Sequence, residues 1–485
     1  MPHYTIVVSD FHAGASNSLI TELAEDYSPR TGEISETAAT FAVALNQTLA
    51  NFPEGSRFDL ILLGDMLDFS LARPDVSSNV LACFLDKLDF VKKADRAVYV
   101  PGNHDHALWT AERFGALAGH GTDPGTAEFW SHITPMAGSE AYLGHSTIMG
   151  AVLAQAGFGG QALTAYPNYV MGRSSKSGTE KMIAFHHGHF IEDAYRAMTN
   201  LLEALTGEPA PPLTVELLEG QNGAWIDFAW STLGDLGAIG TDGALAQRFL
   251  ETGGAAHAFQ SYLARLMAQA VRTRLPIPSF DLMDKAIDYG AAGLVDYTVG
   301  AFSQLERFSY QEVLSRASIE GLKDYIGGPL RQQMIDDFGE EALPRELSFV
   351  FGHTHKPFAD QIVVDAFKRP VTVYNSGGWV MDTVLRHTVE GASIVVIDDD
   401  LHTAALQLYR LTGSTVAPPE VQSADPIPDA DNPMYSTLDT ARAGAQAAWA
   451  KFTESVDRTL AQRQDMYLAN GRTAELKLQR QGKLP

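Results

Sequence analysis

A mixed α/β fold is predicted for this 485-residue chain by three observations. Short buried-strand patterns recur along it, Asp, His and Asn cluster where those patterns end, and helix-period stripes interrupt and follow them. The strand patterns are apolar runs, rich in β-branched residues and bounded by Gly, Pro or Asp. They are Tyr4–Ser9, Phe58–Gly64, Ala97–Gly102, Met182–Gly188, Leu347–Gly352, Val371–Asn375 and Ala392–Asp398, with Ala405–Leu411 as a partner. In open α/β sheets ligands collect where strands end, so the polar clusters mark the functional edge.

The texture changes after the fourth strand pattern. From Asp193 to about Pro344, Tyr195, Met198, Leu202 and Leu205 form a helix stripe that stops at Gly207. Pro209, Pro211 and Pro212 break the chain, and Phe259, Tyr262, Leu263, Leu266 and Ala270 make a second stripe. The predicted organisation is therefore a strand-rich core in two parts, 1–192 and 346–411, split by a mostly helical insertion at 193–345 that is a candidate cap. Residues 412–435 hold Gly413, Pro418, Pro419, Pro426 and Pro428 and read as a linker. In the final segment, 436–485, Trp449, Phe452, Val456 and Leu460 recur at helical spacing, with Gly471 as the expected stop. That segment reads as a solvated helix packed back on the core, and its removal is expected to spare chemistry on small esters.

Composition excludes several classes. With 35 Lys and Arg against 59 Asp and Glu the formal charge is −24. Such a chain is repelled by phosphate backbones unless it carries a local basic patch, which disfavours nucleic acid as a partner. The single cysteine, Cys83, can form no internal disulfide and fits a reducing compartment. Met1-Pro2-His3 leads straight into the first strand pattern without a basic n-region. No apolar stretch is long enough to span a bilayer. A cytoplasmic protein is expected, with peripheral membrane contact a minor alternative; nothing in the sequence reports an oligomeric state.

Five clusters stand in order: Asp10-Phe11-His12, Gly64-Asp65-Met66-Leu67-Asp68, Gly102-Asn103-His104-Asp105, His187-Gly188-His189 and Gly352-His353-Thr354-His355. Singly each has a bland explanation, since Gly-Asp after a strand is usually a turn and an isolated histidine usually a core residue. Together they supply carboxylate, imidazole and amide donors without thiolate, a set suited to Mn, Fe or Zn. Two such ions about 3.5–4 Å apart can share a carboxylate and a hydroxide and clamp a phosphoryl group for in-line attack. A neighbouring histidine can protonate the leaving oxygen.

Asp-x-His, Gly-Asp-x-x-Asp, Gly-Asn-His-Asp, His-Gly-His and Gly-His-Thr-His in this order resemble the calcineurin-like metallophosphoesterase superfamily, over about 1–193 and 346–411. The resemblance implies a two-sheet β-sandwich flanked by helices with a dimetal site at one edge. It implies that Asp10, His12 and His355 hold one metal, that Asp65 bridges both, and that Asn103, His187 and His353 complete the other. His104 would be the general acid or a clamp on the phosphate, oriented by Asp68. The cofactors implied are two divalent ions, manganese first, with iron or zinc as alternatives. The reaction implied is hydrolysis of a small-molecule phosphomonoester or phosphodiester by a metal-bridging hydroxide. A nuclease or pyrophosphatase of the same superfamily is the alternative, and a protein-binding scaffold with a vestigial site the alternative from another class.

Some neighbours carry weaker assignments. His186 reads as structural because His187 begins the His-Gly-His pattern, and His189 has a lesser case for touching substrate. Asp105 and Asn375 read as loop-ordering residues. His106, His120, His132, His145, His257 and His387 fit no pattern. Arg173, Lys176 and Lys181 lie in what reads as a Ser/Gly-rich loop, with phosphate recognition as a lesser possibility. The branch that cleaves UDP-diacylglucosamine carries Arg where this chain has His104, so retention of His104 favours an ester whose leaving group needs a proton.

Overall fold

The computed structural model describes residues 1–120, 144–145, 147–175, 178–200, 212–227, 230, 306, 312–412 and 415–480. In chain order the first strands are β1 (His3–Val8), β2 (Thr21–Leu23), β3 (Pro29–Ile34), β4 (Arg57–Leu62), β5 (Arg96–Tyr99), β6 (Gly144–His145), β7 (Gln161–Thr164) and β8 (Asn168–Ser175). The rest are β9 (Gly178–His186), β10 (Glu346–Phe351), β11 (Phe358–Ile362), β12 (Val371–Asn375), β13 (Gly391–Asp398), β14 (Thr403–Thr412), β15 (Thr415–Val416) and β16 (Glu420–Gln422). The helices are α1 (Glu36–Ala50), α2 (Pro74–Leu85), α3 (Asp89–Lys93), α4 (His106–His120), α5 (Ile148–Gln155), α6 (Val215–Ile226), α7 (Arg316–Tyr325), α8 (Arg331–Phe338), α9 (Pro433–Gly444) and α10 (Gln446–Arg480).

Two mixed sheets carry the site. The larger runs β15-β14-β13-β1-β4-β5-β7-β6, with β16 also on β14, and the smaller runs β11-β12-β10-β9-β8. The strands β1, β4, β5 and β7 are mutually parallel, as are β9, β10 and β12. Parallel strands covered on both faces read as continuous apolar runs, which explains why the expected strands coincide with the observed ones. In β1, Val7 faces the second sheet and packs with Ile61, Val98, Ile183, Phe185 and Val350. Its neighbours Ile6 and Val8 face the other way, among residues of α1, α2 and α10. This alternation makes a two-sheet sandwich with helices outside it.

The smaller sheet is covered in the same manner. Met182, Ala184, Phe349 and Val373 pack with Leu218 and Trp225 of α6, Leu322 and Tyr325 of α7, and Met334 of α8. The described helices of 193–345 thus form the outer layer of that sheet. The stripe at Phe259–Ala270 lies outside the described residues. A buried polar cluster fastens α6 to α4: His106 Nδ1 is 2.8 Å from Asp227, and Nε2 is 3.1 Å from the Tyr166 hydroxyl and 3.2 Å from Glu219. Burial works to lower the His106 pKa, but Glu219 and Asp227 overcome it and hold it up at about 10.

Three expectations are corrected. Arg173 and Lys181 lie on the paired strands β8 and β9 rather than in a loop. Arg173 pairs with Asp400 at 2.5 Å and Lys181 with Asp425 at 3.2 Å, so their charges are engaged away from the polar clusters; Lys176 lies outside the described residues. The Pro-rich stretch read as a linker contributes β15 and β16 to the larger sheet. Helix α10 continues through Gly471 to Arg480, because one glycine costs only about 1 kcal/mol in a helix interior. That helix is deeply engaged. Trp449, Phe452, Val456 and Leu460 are buried in the core with α1, and the Trp449 indole N–H donates to Thr48 Oγ1 at 2.9 Å. No described helix is long and apolar enough to cross a membrane.

Trp449→Ala should destabilise the protein by about 3–5 kcal/mol, the usual cost of deleting a large buried side chain, read as a lower denaturant midpoint. Deleting 418–485 should yield a chain that does not fold, contrary to the expectation from sequence. The His106 cluster has a pH signature. Its raised pKa contributes stability that is complete below about pH 6.5 and is lost as pH rises towards about 10. Stability of the wild-type chain should fall over that window more than that of His106→Gln, measured by urea unfolding at successive pH values.

Candidate metal centre

The parallel strands deliver the motif residues to one edge. β1, β4 and β5 run into Asp10, Asp65 and Asn103, while β9 and β10 run into His187 and His353. The loops turn sharply there. Among the described residues seven non-glycines have positive φ, and five of them are Asp10, His12, Asp65, His353 and His355. Backbone strain of this kind costs of order 1–3 kcal/mol per residue and concentrates where side chains must be aimed. Close approach explains the motif glycines: a Cβ at Gly102 would strike the Asp65 carboxylate, and one at Gly352 the Asp10 carboxylate.

All nine residues singled out as ligands or catalytic groups come together in the interior, each at most 2% exposed. Ligand atoms of Asp10, His12 and His355 lie within 4.8 Å of one another, as do those of Asp65, His187 and His353, and those of His12, Asp65 and His104. Asn103 joins the second group, its Oδ1 3.1 Å from His187 Nε2.

The hydrogen bonds around these groups show what they are built to hold. His12 Nδ1 is 2.9 Å from Asp68, and His355 Nδ1 is 2.5 Å from Asp382. A neutral imidazole has one N–H, and donating it to a carboxylate leaves a lone pair on Nε2. The two Nε2 atoms face each other at 3.1 Å. On the other side His187 Nδ1 is 3.0 Å from the Leu63 carbonyl, which can only accept, so its Nε2 is also a lone pair. That atom meets Asp65 Oδ2 at 3.2 Å and Asn103 Oδ1. Asp65 Oδ2 thus faces imidazole nitrogens, while Oδ1 accepts from the backbone N–H of His104 at 2.8 Å. Acceptors converge on two points on either side of Asp65 Oδ2, and only positive charge satisfies them. These donors fit a pair of divalent ions. Without ions a proton fills the role: burial would lower the His187 pKa, but Asp65 and Asp10 hold it up at about 9.

His104 sits at the same point. Its Nδ1 lies 2.7 Å from Ser70 Oγ and 3.2 Å from Asp68 Oδ1, so one aspartate supports both His104 and His12. Burial lowers the His104 pKa against the pull of Asp68 and Asp65. The Trp230 ring lies 5.2 Å from that of His104. Asp105 accepts from the backbone N–H groups of Asp65, Met66, Leu67 and Gly102 at 2.7–3.3 Å, the work of a loop-ordering residue. Asn375 does likewise, donating to the Gly352 carbonyl at 2.8 Å and accepting from Gly377 N–H at 2.7 Å.

Sequence reasoning missed Asp382, Ser70 and Glu192, whose Oε1 is 2.7 Å from His353 Nε2. None stands in a motif, and what marks Asp382 and Glu192, a buried acid beside a candidate ligand histidine, is revealed only by folding. Of the other histidines, His186 accepts from Gly188 N–H at 2.8 Å. His189 is buried against Phe190 and Tyr195, outside the three ligand groups. His106 belongs to the α6 anchor and His387 lies 3.2 Å from Thr383 Oγ1. His132 and His257 fall outside the described residues, and His120 and His145 end α4 and β6.

Comparison with known proteins agrees with this geometry. Residues 4–194 match the family model of the calcineurin-like phosphoesterases. The chain carries a calcineurin-like phosphoesterase domain over that segment, the domain of a phosphoester hydrolase. Four of the five clusters fall inside the match; Gly352–His355 lies beyond it. Among solved structures the chain is similar to a dimetal phosphatase from Danio rerio, 12% identical over 82% of this chain and 96% of that one. The TM-score is 0.28, too low for that likeness to bear on fold or function. No curated protein matches the sequence.

Asp65→Asn should weaken both ions together, since the lost charge lies between the two groups. Metal content after dialysis, measured by atomic emission, should fall from two equivalents towards none; loss of a single equivalent would contradict the bridging position.

Proposed function

We propose that this protein is a metal-dependent phosphoesterase that hydrolyses a small-molecule phosphomonoester or phosphodiester. In this reading Asp10, His12 and His355 hold one ion, Asn103, His187 and His353 hold the other, and Asp65 bridges them. The observation that carries it is the convergence of the His12 and His187 Nε2 atoms on the buried Asp65 Oδ2. The donor set, with no thiolate, suits manganese, with iron or zinc as alternatives. Once bound, the ions would polarise the phosphoryl oxygens and make a water strongly nucleophilic.

The protein's own groups supply the rest. Asp68 and Ser70 engage His104 Nδ1 and fix the ring within the group it shares with His12 and Asp65. His104 is then placed to protonate a leaving oxygen. Negative charge on an arriving phosphate acts in the same sense as Asp68 and Asp65 and favours the imidazolium. Burial of the whole constellation keeps bulk water away and strengthens each of these interactions. The reaction is set in the cytoplasm, in keeping with the single, half-buried Cys83.

The test compares hydrolysis of p-nitrophenyl phosphate and bis-p-nitrophenyl phosphate by metal-stripped protein refilled with Mn, Zn or Fe. Turnover should depend on metal, and His104→Ala should cut it roughly 10²–10⁴-fold with both ions retained. A fully loaded protein that turns over neither ester would favour the scaffold reading, and metal loss in His104→Ala would reassign His104 as a ligand.

A further inference from the structure

We propose that the C-terminal helix α10 is part of the metal centre: it suspends the loop bearing Asp382, so that Asp382 fixes His355, with Tyr467 and Gln464 as positioning residues. The inference rests on the ligand role proposed for His355.

Asp382 is 5% exposed and meets His355 Nδ1 at 2.5 Å. A carboxylate at that nitrogen sets the tautomer, leaves Nε2 free to bind and raises its basicity. Yet Asp382 lies in an irregular loop between β12 and β13, with no ladder of sheet hydrogen bonds to hold it. Helix α10 does that instead. The Tyr467 hydroxyl donates to the carbonyl of Met381, the residue before Asp382. Gln464 Nε2 donates to the Val384 carbonyl at 2.9 Å. Arg386 donates to the Asp457 carboxylate at 2.5 Å and to its carbonyl at 3.3 Å. Positions 457, 464 and 467 are seven and three apart, which places them on one helix face.

The same helix grips the first motif loop. Buried Arg463 donates to the Ser18 and Thr21 carbonyls, and Ser18 bridges to Val380 while Asn17 accepts from Met381 N–H at 3.1 Å. The loop after His12 and the loop carrying Asp382 are therefore clamped to each other and to α10. A helix that only covered the core would need its apolar stripe; it would not need three polar side chains aimed at one loop.

The experiment measures Mn affinity by competition with a graded chelator, alongside thermal melts, for His355→Ala, Asp382→Asn, the double variant Tyr467→Phe/Gln464→Ala, and Val456→Ala. Val456 is a buried apolar side chain of α10 with no polar group to offer the loop, so its truncation reports destabilisation alone. Asp382→Asn should weaken one of the two ions by about 10–100-fold, and the double variant should weaken the same ion. Val456→Ala should lower the melting temperature without changing either affinity. If His355→Ala keeps both ions, the ligand assignment itself fails. If His355→Ala loses one while Asp382→Asn binds both normally, the role of Asp382 fails. If the double variant behaves like Val456→Ala, the role of the helix fails.

Discussion

The Asp65 carboxylate, fully buried between His12 and His187, is the constraint around which this structure is arranged. An isolated carboxylate in the interior is costly enough that it must be compensated or protonated. Burial would raise its pKa, and His187, His104 and His12 together hold it well down. That compensation requires histidines from three loops of two sheets to gather around one carboxylate, which an approximate fold could not achieve. Five left-handed backbone positions in the motif loops are the strain accepted to aim those groups. The two-sheet core, closed on both faces, is what keeps the strain from relaxing.

Support is arranged outward from that oxygen in rings. Asp105 gathers four backbone N–H groups and fixes the loops that carry Asp65 and Asn103. Asp68, Asp382 and the Leu63 carbonyl each take the Nδ1 proton of a candidate ligand histidine, so three imidazoles present the same nitrogen inward. Glu192 adds a carboxylate at His353 and accepts from the Glu306 N–H at 3.1 Å, while Lys356, next to the last motif, reaches Glu306 at 2.7 Å. The expected insertion and the C-terminal segment thus touch the site through these supports, although neither supplies a candidate ligand.

This arrangement explains how much could be read early. Strands covered on both faces announce themselves as unbroken apolar runs, so β1, β4, β5, β9, β10, β12, β13 and β14 were legible. Asn168–Ser175 and the polar start of β9 were not, because an edge hairpin with polar residues around its turn resembles a loop, and that made Arg173 and Lys181 look available for phosphate. The proline-rich stretch after Thr412 looked like a linker because composition reports the absence of regular pattern, while three residues suffice to add β16 to an existing edge.

The sequence by itself determined the candidate donors, since every one sits within a few residues of a strand end and adjacent positions along the chain stay adjacent in space. Their number, order and chemical type needed no structure. Only the tertiary structure decided which nitrogen of each histidine faces inward. That depends on groups such as Asp382, 27 residues from its partner, and on the distant Glu192 and Leu63 carbonyl, brought close by sheet packing rather than by chain connectivity. For the same reason the place of α10 was invisible in its sequence: an apolar stripe says that a helix is buried, but not against which loop.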